Sequence, residues 1–413
     1  MPLLVRLAWR NLGRNRRRTA LTAGAAVFAT VLCMLNLAVS AGSQKRWIAN
    51  AVELYPGHFE ISQRGYRDNR TLDYALVLTP EQRAALDGLA PAAHWTPRLE
   101  AFGLISADTE HATGRGVQLL GIDAARERGL SRLLGALTPG SAAPAPGARE
   151  LVLGDLLARN LGVAAGDSVI VVSADAFGSQ TADRFRVTGT FHVGGDELDG
   201  FAAIADLAAL QEFLAVGEGV SHAAVFAEHG AGLPVLDARL RAAFPAASYE
   251  VLGWDELVPE LVSFMRLNDV GDWMQNALLL IVVVFGLLNT ILMSVFERVR
   301  EFGVLRALGM RPRAVFGLVV LESAFLSLLG IALGFAVGVP LVLYLGGHPV
   351  HLVSQEMRSS LEVFGLEPLI MFSLSKSQLV GLPLTLIAVG LLAALLPAIR
   401  ASRGRPVDAL RAN

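Results

Sequence analysis

The stretch "MSVFERVREFGVLRALGMRPRAV" (Met293–Val315) places five arginines and two glutamates between two long apolar runs. Its apolar residues keep helical spacing: Val295, Val299 and Phe302, with Leu305 and Leu308 alongside. This predicts a helix that continues out of the preceding apolar run. Gly309 supplies a C-terminal stop and Pro312 bars simple continuation before the next run begins. A short charged helix held between two membrane spans is the expected result. Its apolar side, expected on Phe302, Leu305 and Leu308, needs either the headgroup layer or a partner's groove.

The rest of the sequence supports a membrane setting. Of 413 residues, 53% are hydrophobic and 17% are charged, against about 45–50% and about 25% in soluble domains. The net charge of −2 lacks the basic footprint of a nucleic-acid binder, so no nucleic-acid partner is expected. A single cysteine, Cys33, sits inside an apolar run, which excludes a disulfide framework and a cysteine-based zinc site. All but Lys45 and Lys376 of the 35 basic residues are arginine. Neither lysine follows glycine, so the sequence holds no P-loop.

A bilayer core of about 30 Å takes roughly 20 apolar residues in a helix. Four runs qualify: Leu21–Ser40, Ala277–Phe296, Ala314–Leu345 and Leu379–Ile399. Arginines crowd before the first, between the second and third, and after the fourth, whereas the third-to-fourth loop has only Arg358 and Lys376 against three glutamates. Positive flanks face the cytoplasm. The expected layout is an amphipathic cytoplasmic helix (1–18), a first span (19–41), an outer domain with helical stalk ends (42–276) and a second span (277–296). A charged cytoplasmic helix (297–313), a third span (314–345), an outer loop (346–378), a fourth span (379–399) and a cytoplasmic tail (400–413) follow. An uncharged run of 20 residues is longer than the about 7–15 of a signal peptide, so the first span reads as an anchor. Arg6, Arg10, Arg14 and Arg17 fall on one side of residues 3–18, which suits an interfacial helix on membrane lipid or a plain positive flank.

The outer segment reads as mixed α/β. Strand patterns include "HFEIS", "RLEAFGLIS", "RGVQLLGI", "DSVIVVS", "DRFRVTGTF" and "AAVFAE". "TPEQRAALDGL" opens a helix on Thr79, with Pro80 at its first position and Gln82 completing a capping box. The Pro/Ala/Gly-rich "LTPGSAAPAPGARE" is expected to divide the segment into an earlier part and a β-rich part. No hydrolase elbow, zincin motif or dinucleotide fingerprint is present, and no catalytic residue is expected. His348 and His351 read as loop residues, and Asp196, Glu197 and Asp199 as a solvated acidic tip, so no metal site is expected. In the third span, Gly330, Gly334 and Gly338 form a small-residue ridge suited to a neighbouring span or to a second copy. Glu322 in the same span needs a partner such as an arginine or Asn289.

With these residues in view, "ERVREFGVLRALGMRP" resembles the signature of the FtsX-like permease domain found in MacB exporters and LolC/LolE lipoprotein-releasing permeases. The tail "LLPAIRASRGRPVDALR", the lead-in "LAWRNLGRNRRRTALT" and the MacB-like "ELVLGDLLARNLGVAAGDSVIVVS…FRVTGTF" are similar to other parts of that family. The resemblance implies a fold of four transmembrane helices with a mixed α/β periplasmic domain inserted between the first two. It places Glu297, Arg298, Arg300, Glu301, Phe302, Gly303, Leu305, Arg306, Ala307, Leu308 and Gly309 in or beside a coupling element seated on an ABC ATPase. MacB carries its ATPase in the same chain; here a separate ATPase dimer, binding ATP and Mg, is implied, with no cofactor in this chain. The implied assembly is non-catalytic in this subunit, lies in the bacterial inner membrane, and holds a second copy or a paralogue of the permease. ATP-driven motion of the periplasmic domain would act on a lipoprotein or other hydrophobic cargo. Open alternatives are an FtsX-like regulator of a periplasmic cell-wall hydrolase and an unenergised membrane receptor.

Overall fold

The structure, a computed structural model, describes residues 5–8, 10, 16–108, 113–194, 196–228, 232–348, 350–351 and 369–403. These form two compact units, a helical one and an α/β one that runs over Trp47–Phe264.

The helical unit is built from α1 (Arg16–Leu54), α2 (Pro259–Glu297), the short α3 (Val299–Ala307), α4 (Pro312–Gly347) and α5 (Lys376–Arg403). Among the described residues, four helices (α1, α2, α4 and α5) are long and apolar enough to cross a membrane. A helix satisfies its backbone polar groups internally, which hydrocarbon demands. The α1 and α2 helices extend well past the apolar runs at their outer ends, and polar pairs link them there. Asn36 Nδ2 donates to Asn276 Oδ1 at 3.3 Å, and Ser40 and Gln44 bond to Asp272 and Asp269.

The glycine ridge of α4 packs within the chain. A Cβ at Gly330 would stand 2.3 Å from Ala26 Cβ, one at Gly334 2.5 Å from Thr30 Cβ, and one at Gly338 2.8 Å from Met34 Sδ. Of the two uses open to that ridge, contact with the first span is the one observed. On α5, Gly390 meets Ser327 of α4 in the same way.

The α/β unit holds a nine-stranded sheet ordered β3-β7-β4-β6-β5-β2-β8-β1-β9. The strands are β1 (Phe59–Gln63), β2 (Ala93–Ala107), β3 (Arg115–Ile122), β4 (Glu150–Gly154), β5 (Ser168–Ala174), β6 (Gln180–Phe191), β7 (Ala202–Asp206), β8 (His222–Ala227) and β9 (Tyr249–Gly253). The expected division at the Pro/Ala/Gly-rich linker is not found. The 15-residue β2 changes partners along its length: Ala93–Arg98 pair with β8, Arg98–Ile105 with β3, and Gly103–Ala107 with β5. Strands from before and after the linker therefore share one sheet. Thr79 caps Pro80–Asp87 through the reciprocal capping box with Gln82. One core cluster centres on Leu99, Phe185 and Leu210, and another on Ile61, Val225 and Phe244.

Candidate functional site

The site grows from the end of α2. The sequence pattern predicts a continuous helix through Met293–Leu308, but the chain breaks at Arg298, whose backbone leaves the helical region (φ −113°, ψ 13°) before α3 starts. The side chain bridges the break. Arg298 Nη1 donates to Glu322 Oε1 at 2.9 Å and Oε2 at 2.8 Å, while Nε donates to Glu301 Oε2 at 2.8 Å. The guanidinium also lies 5.3 Å from the Phe302 ring centroid. At the other end, Gly309 takes a left-handed φ of +96°, and the N–H groups of Leu308, Gly309 and Met310 close onto the last carbonyls of α3. Pro312 opens α4 at once.

This geometry corrects the expected apolar face. Phe302 is 4% exposed and packs with Ala8, Val295, Val315 and Ala398, with Leu305 beside that cluster. Gly303 is buried as well. The outward apolar residues are Leu308, 80% exposed, and Val304, 43% exposed. Glu297, Arg300, Ala307 and Gly309 are exposed with them, as are Arg311 and Arg313; Arg298, Glu301, Leu305 and Arg306 are half-buried. Periodicity could not separate the inner from the outer stripe, because both are apolar. Glu322 is buried on α4 and meets Arg298, the arginine partner that its place in a span calls for. Arg6 and Arg10 are exposed, whereas Arg14 and the Arg17 side chain lie outside the described residues.

The α/β unit contains polar chemistry that no short motif announced. Arg98 and Glu127, both fully buried, form an ion pair, and Arg98 also bonds the Tyr55 carbonyl. Its Cζ lies 4.3 Å from the Tyr55 ring centroid and 5.5 Å from that of Phe226. Beside it, the Tyr55 and Tyr66 hydroxyls donate to Glu100 at 2.6 and 3.1 Å. Burial, reinforced by Glu100, pushes both phenols above their ordinary range. Burial alone would raise Glu100; His222, the tyrosine hydroxyls and Arg70 together outweigh it and hold the carboxyl below its usual range. His58, depressed by burial, accepts from the Ala227 N–H at Nδ1. The available signal was alternation: Arg98 and Glu100 occupy positions of one strand face where apolar residues are usual.

Asp155, His192 and Asp199 bring ligand atoms within 4.8 Å of one another, with His192 Nδ1 2.9 Å from Asp199 Oδ2 and Arg159 on Asp155 at 2.8 Å. Asp199 also accepts from the Val193 and Gly194 N–H groups, so it closes a turn; the Asp196 and Glu197 side chains lie outside the described residues. A cleft of about 790 Å³ beside Trp95 carries Arg126 stacked on the indole. His348 stacks on Tyr344, and the His351 side chain lies outside the described residues.

A four-helix membrane unit, a charged inner helix and an α/β domain inserted between the first two spans define a class of extracytoplasmic-domain membrane proteins. Residues 19–243 match the MacB-like periplasmic core domain, and residues 274–406 match the FtsX-like permease C-terminal domain. The chain belongs to this family of ABC transporter permeases and is a multi-pass inner-membrane protein with its α/β domain in the periplasm. It is similar to the lipoprotein-releasing system transmembrane protein LolC of Xylella fastidiosa (strain Temecula1), 26% identical over 438 residues and 99% of each chain. The protein of the same name from Neisseria meningitidis serogroup B is 24% identical, covering 94% of this chain and 92% of its own. The ABC transporter permease YvrN of Bacillus subtilis is 29% identical over 171 residues, 40% of this chain and 36% of its own.

Proposed function

We propose that this chain couples a separate ABC ATPase, which binds ATP and Mg, to motion of its own periplasmic domain, and that it carries out no catalysis itself. The observation that carries this reading is the outer face of α3. Val304 and Leu308 are exposed on a helix whose other side is held by the membrane unit, and Arg300 and Arg311 flank them. An apolar pair within a basic rim is suited to the groove of a cytoplasmic partner. The ATPase acts as a dimer and the permease pairs with a second copy or a paralogue, as the symmetry of a two-site ATPase favours. The cargo is a lipoprotein or another hydrophobic periplasmic molecule, a reading supported by the lipoprotein-releasing relatives. Within the four apolar runs Glu322 is the one carboxylate, and it is paired, which favours motion transmitted through the helices over a polar substrate path.

The test is co-purification from the native host in mild detergent, for wild type and for Val304→Asp/Leu308→Asp. Interface hot spots cost about 2 kcal/mol or more each, roughly 30-fold in affinity. The double variant is expected to fold, and to lose the ATPase that wild type retains. Phe302→Asp is unsuitable, because it places a charge in a buried cluster. An ATPase retained by the double variant would move the seat elsewhere. A wild-type chain that captures none would favour the unenergised receptor, and capture of a cell-wall hydrolase alone the regulator.

A further inference from the structure

We infer that Arg298 and Glu322 form a rigid joint that delivers displacement of α3 to the third span, α4, making Arg298 a positioning residue of the coupling path. The inference rests on the proposed seat of an ATPase on α3. By chain connectivity alone, a push on α3 would pass to α2, which precedes it by one residue, or to α4 through the Leu308–Arg311 turn. Both routes are compliant. Arg298 has left the helix, and Gly309 sits at a left-handed φ in the turn, so neither junction is a continuous α-helix.

The side chains close what the backbone leaves open. One guanidinium bonds Glu301 on α3 and both oxygens of Glu322 on α4, and it stands over Phe302. The Arg298 and Glu322 side chains are 13% and 6% exposed, so water screens the pair poorly and its loss leaves a buried charge. Nε and Nη1 hold carboxylates on two different helices, which fixes the orientation of the planar guanidinium as well as its distance. Phe302 and Val315 add apolar contact at the same level.

Beyond the joint, α4 has its own route onward. The ridge of Gly330, Gly334 and Gly338 lies against Ala26, Thr30 and Met34 of α1 with no room for a side chain between them, and α1 runs unbroken from Arg16 to Leu54. Force applied at Arg298 thus enters a span that packs closely on α1, one of the two helices that lead out of the membrane. The alternative path through α2 meets a helix whose buried residues are only Leu287, Ile291 and Val295.

The experiment uses the full chain with its co-purified ATPase in lipid nanodiscs, in a Cys33→Ala background. Spin labels at Ala307 on α3 and Leu328 on α4, both exposed, report the separation across the joint, with ATPase binding verified in the labelled parent. In the parent chain that separation is expected to stay constant between nucleotide-free and ATP-bound states. In Glu322→Gln, with the ATPase still bound and hydrolysing, it should change with nucleotide by about 1–2 Å or more, the scale of helix shifts in switching proteins. The exchanged pair Arg298→Glu/Glu322→Arg should restore constancy, an outcome that a residue needed only for folding would not produce. The inference is overturned if the parent separation itself moves, if Glu322→Gln holds it fixed, or if Glu322→Gln misfolds and the exchange does not repair it. A parent chain that binds no ATPase overturns the proposed function and this inference together, whereas the other three outcomes leave that function standing.

Discussion

Removing Glu127 should destabilise the periplasmic domain far more than its position on a four-residue helical turn suggests. The Ala124–Glu127 turn has no core of its own, yet its last residue is fully buried against Arg98. With Glu127→Leu, Arg98 keeps the Tyr55 carbonyl and its position over the Tyr55 and Phe226 rings but has lost its counter-charge. Breaking one side of a buried pair costs about 3–5 kcal/mol. In native-state hydrogen exchange of the full chain, that is roughly a 150- to 5,000-fold loss of protection for the slowest amides of β2 and β8. The double variant Arg98→Met/Glu127→Leu removes both charges and fills the space with apolar groups, so it should recover most of that loss. Membrane-helix amides serve as the internal control and should not change. The reasoning is refuted if Glu127→Leu changes β2 protection less than about fivefold, or if the double variant loses as much as the two single changes added together.

The α4 ridge supplies a second test: Gly334→Leu must displace Thr30 of α1, an overpacking cost of about 1–3 kcal/mol, whereas Leu328→Ala at an exposed position should leave the thermal midpoint in detergent nearly unchanged. Stability should also depend on pH in a definite direction. Because the folded Glu100 pKa is depressed, its contribution is present above about pH 4.3 and is lost as pH falls through the folded value; Glu100→Gln should therefore flatten the acid limb of a melting-temperature profile. Tyr55 and Tyr66 are raised, so their contribution is complete below about pH 10 and is lost above it, and Tyr66→Phe should weaken that alkaline limb.

Element type was legible wherever burial is one-sided or complete over a long run. The four spans, the capping box at Thr79 and the alternating strands around Val117, Val171 and Val187 carry their period in the sequence. What escaped reading was short or buried on both faces. The β7 sequence "AAIAD" is fully buried, with three alanines that favour no strand, and β4 and β9 are five residues each. The linker of Leu137–Glu150 misled because composition marks a loop without saying whether the chain returns to the same sheet. Partner choice along β2 depends on strands more than 100 residues away, beyond the reach of any local pattern.

The inner helix shows the same limit in its most consequential form. A sequence shows that Phe302, Leu305 and Leu308 are apolar, but which of them faces outward depends on the rotation of α3, which Arg298 ties to α4 through Glu322. The buried stripe of Leu287, Ile291, Val295 and Phe302 keeps steps of four and seven, so the helical phase runs on through Arg298. The Arg298 attachment to Glu322 holds that phase, with Phe302 toward Val295 and Val315 and with Val304 and Leu308 outside. The charge pair and the docking face are therefore one feature. If the phase is set at Arg298, loosening the joint should alter the presentation of Leu308 as well as the motion of α4. Solvent accessibility of a cysteine placed at Phe302 should then rise in Glu322→Gln and stay low in the exchanged pair. Equal accessibility in both would mean that apolar packing alone sets the rotation of α3, with the ion pair following it.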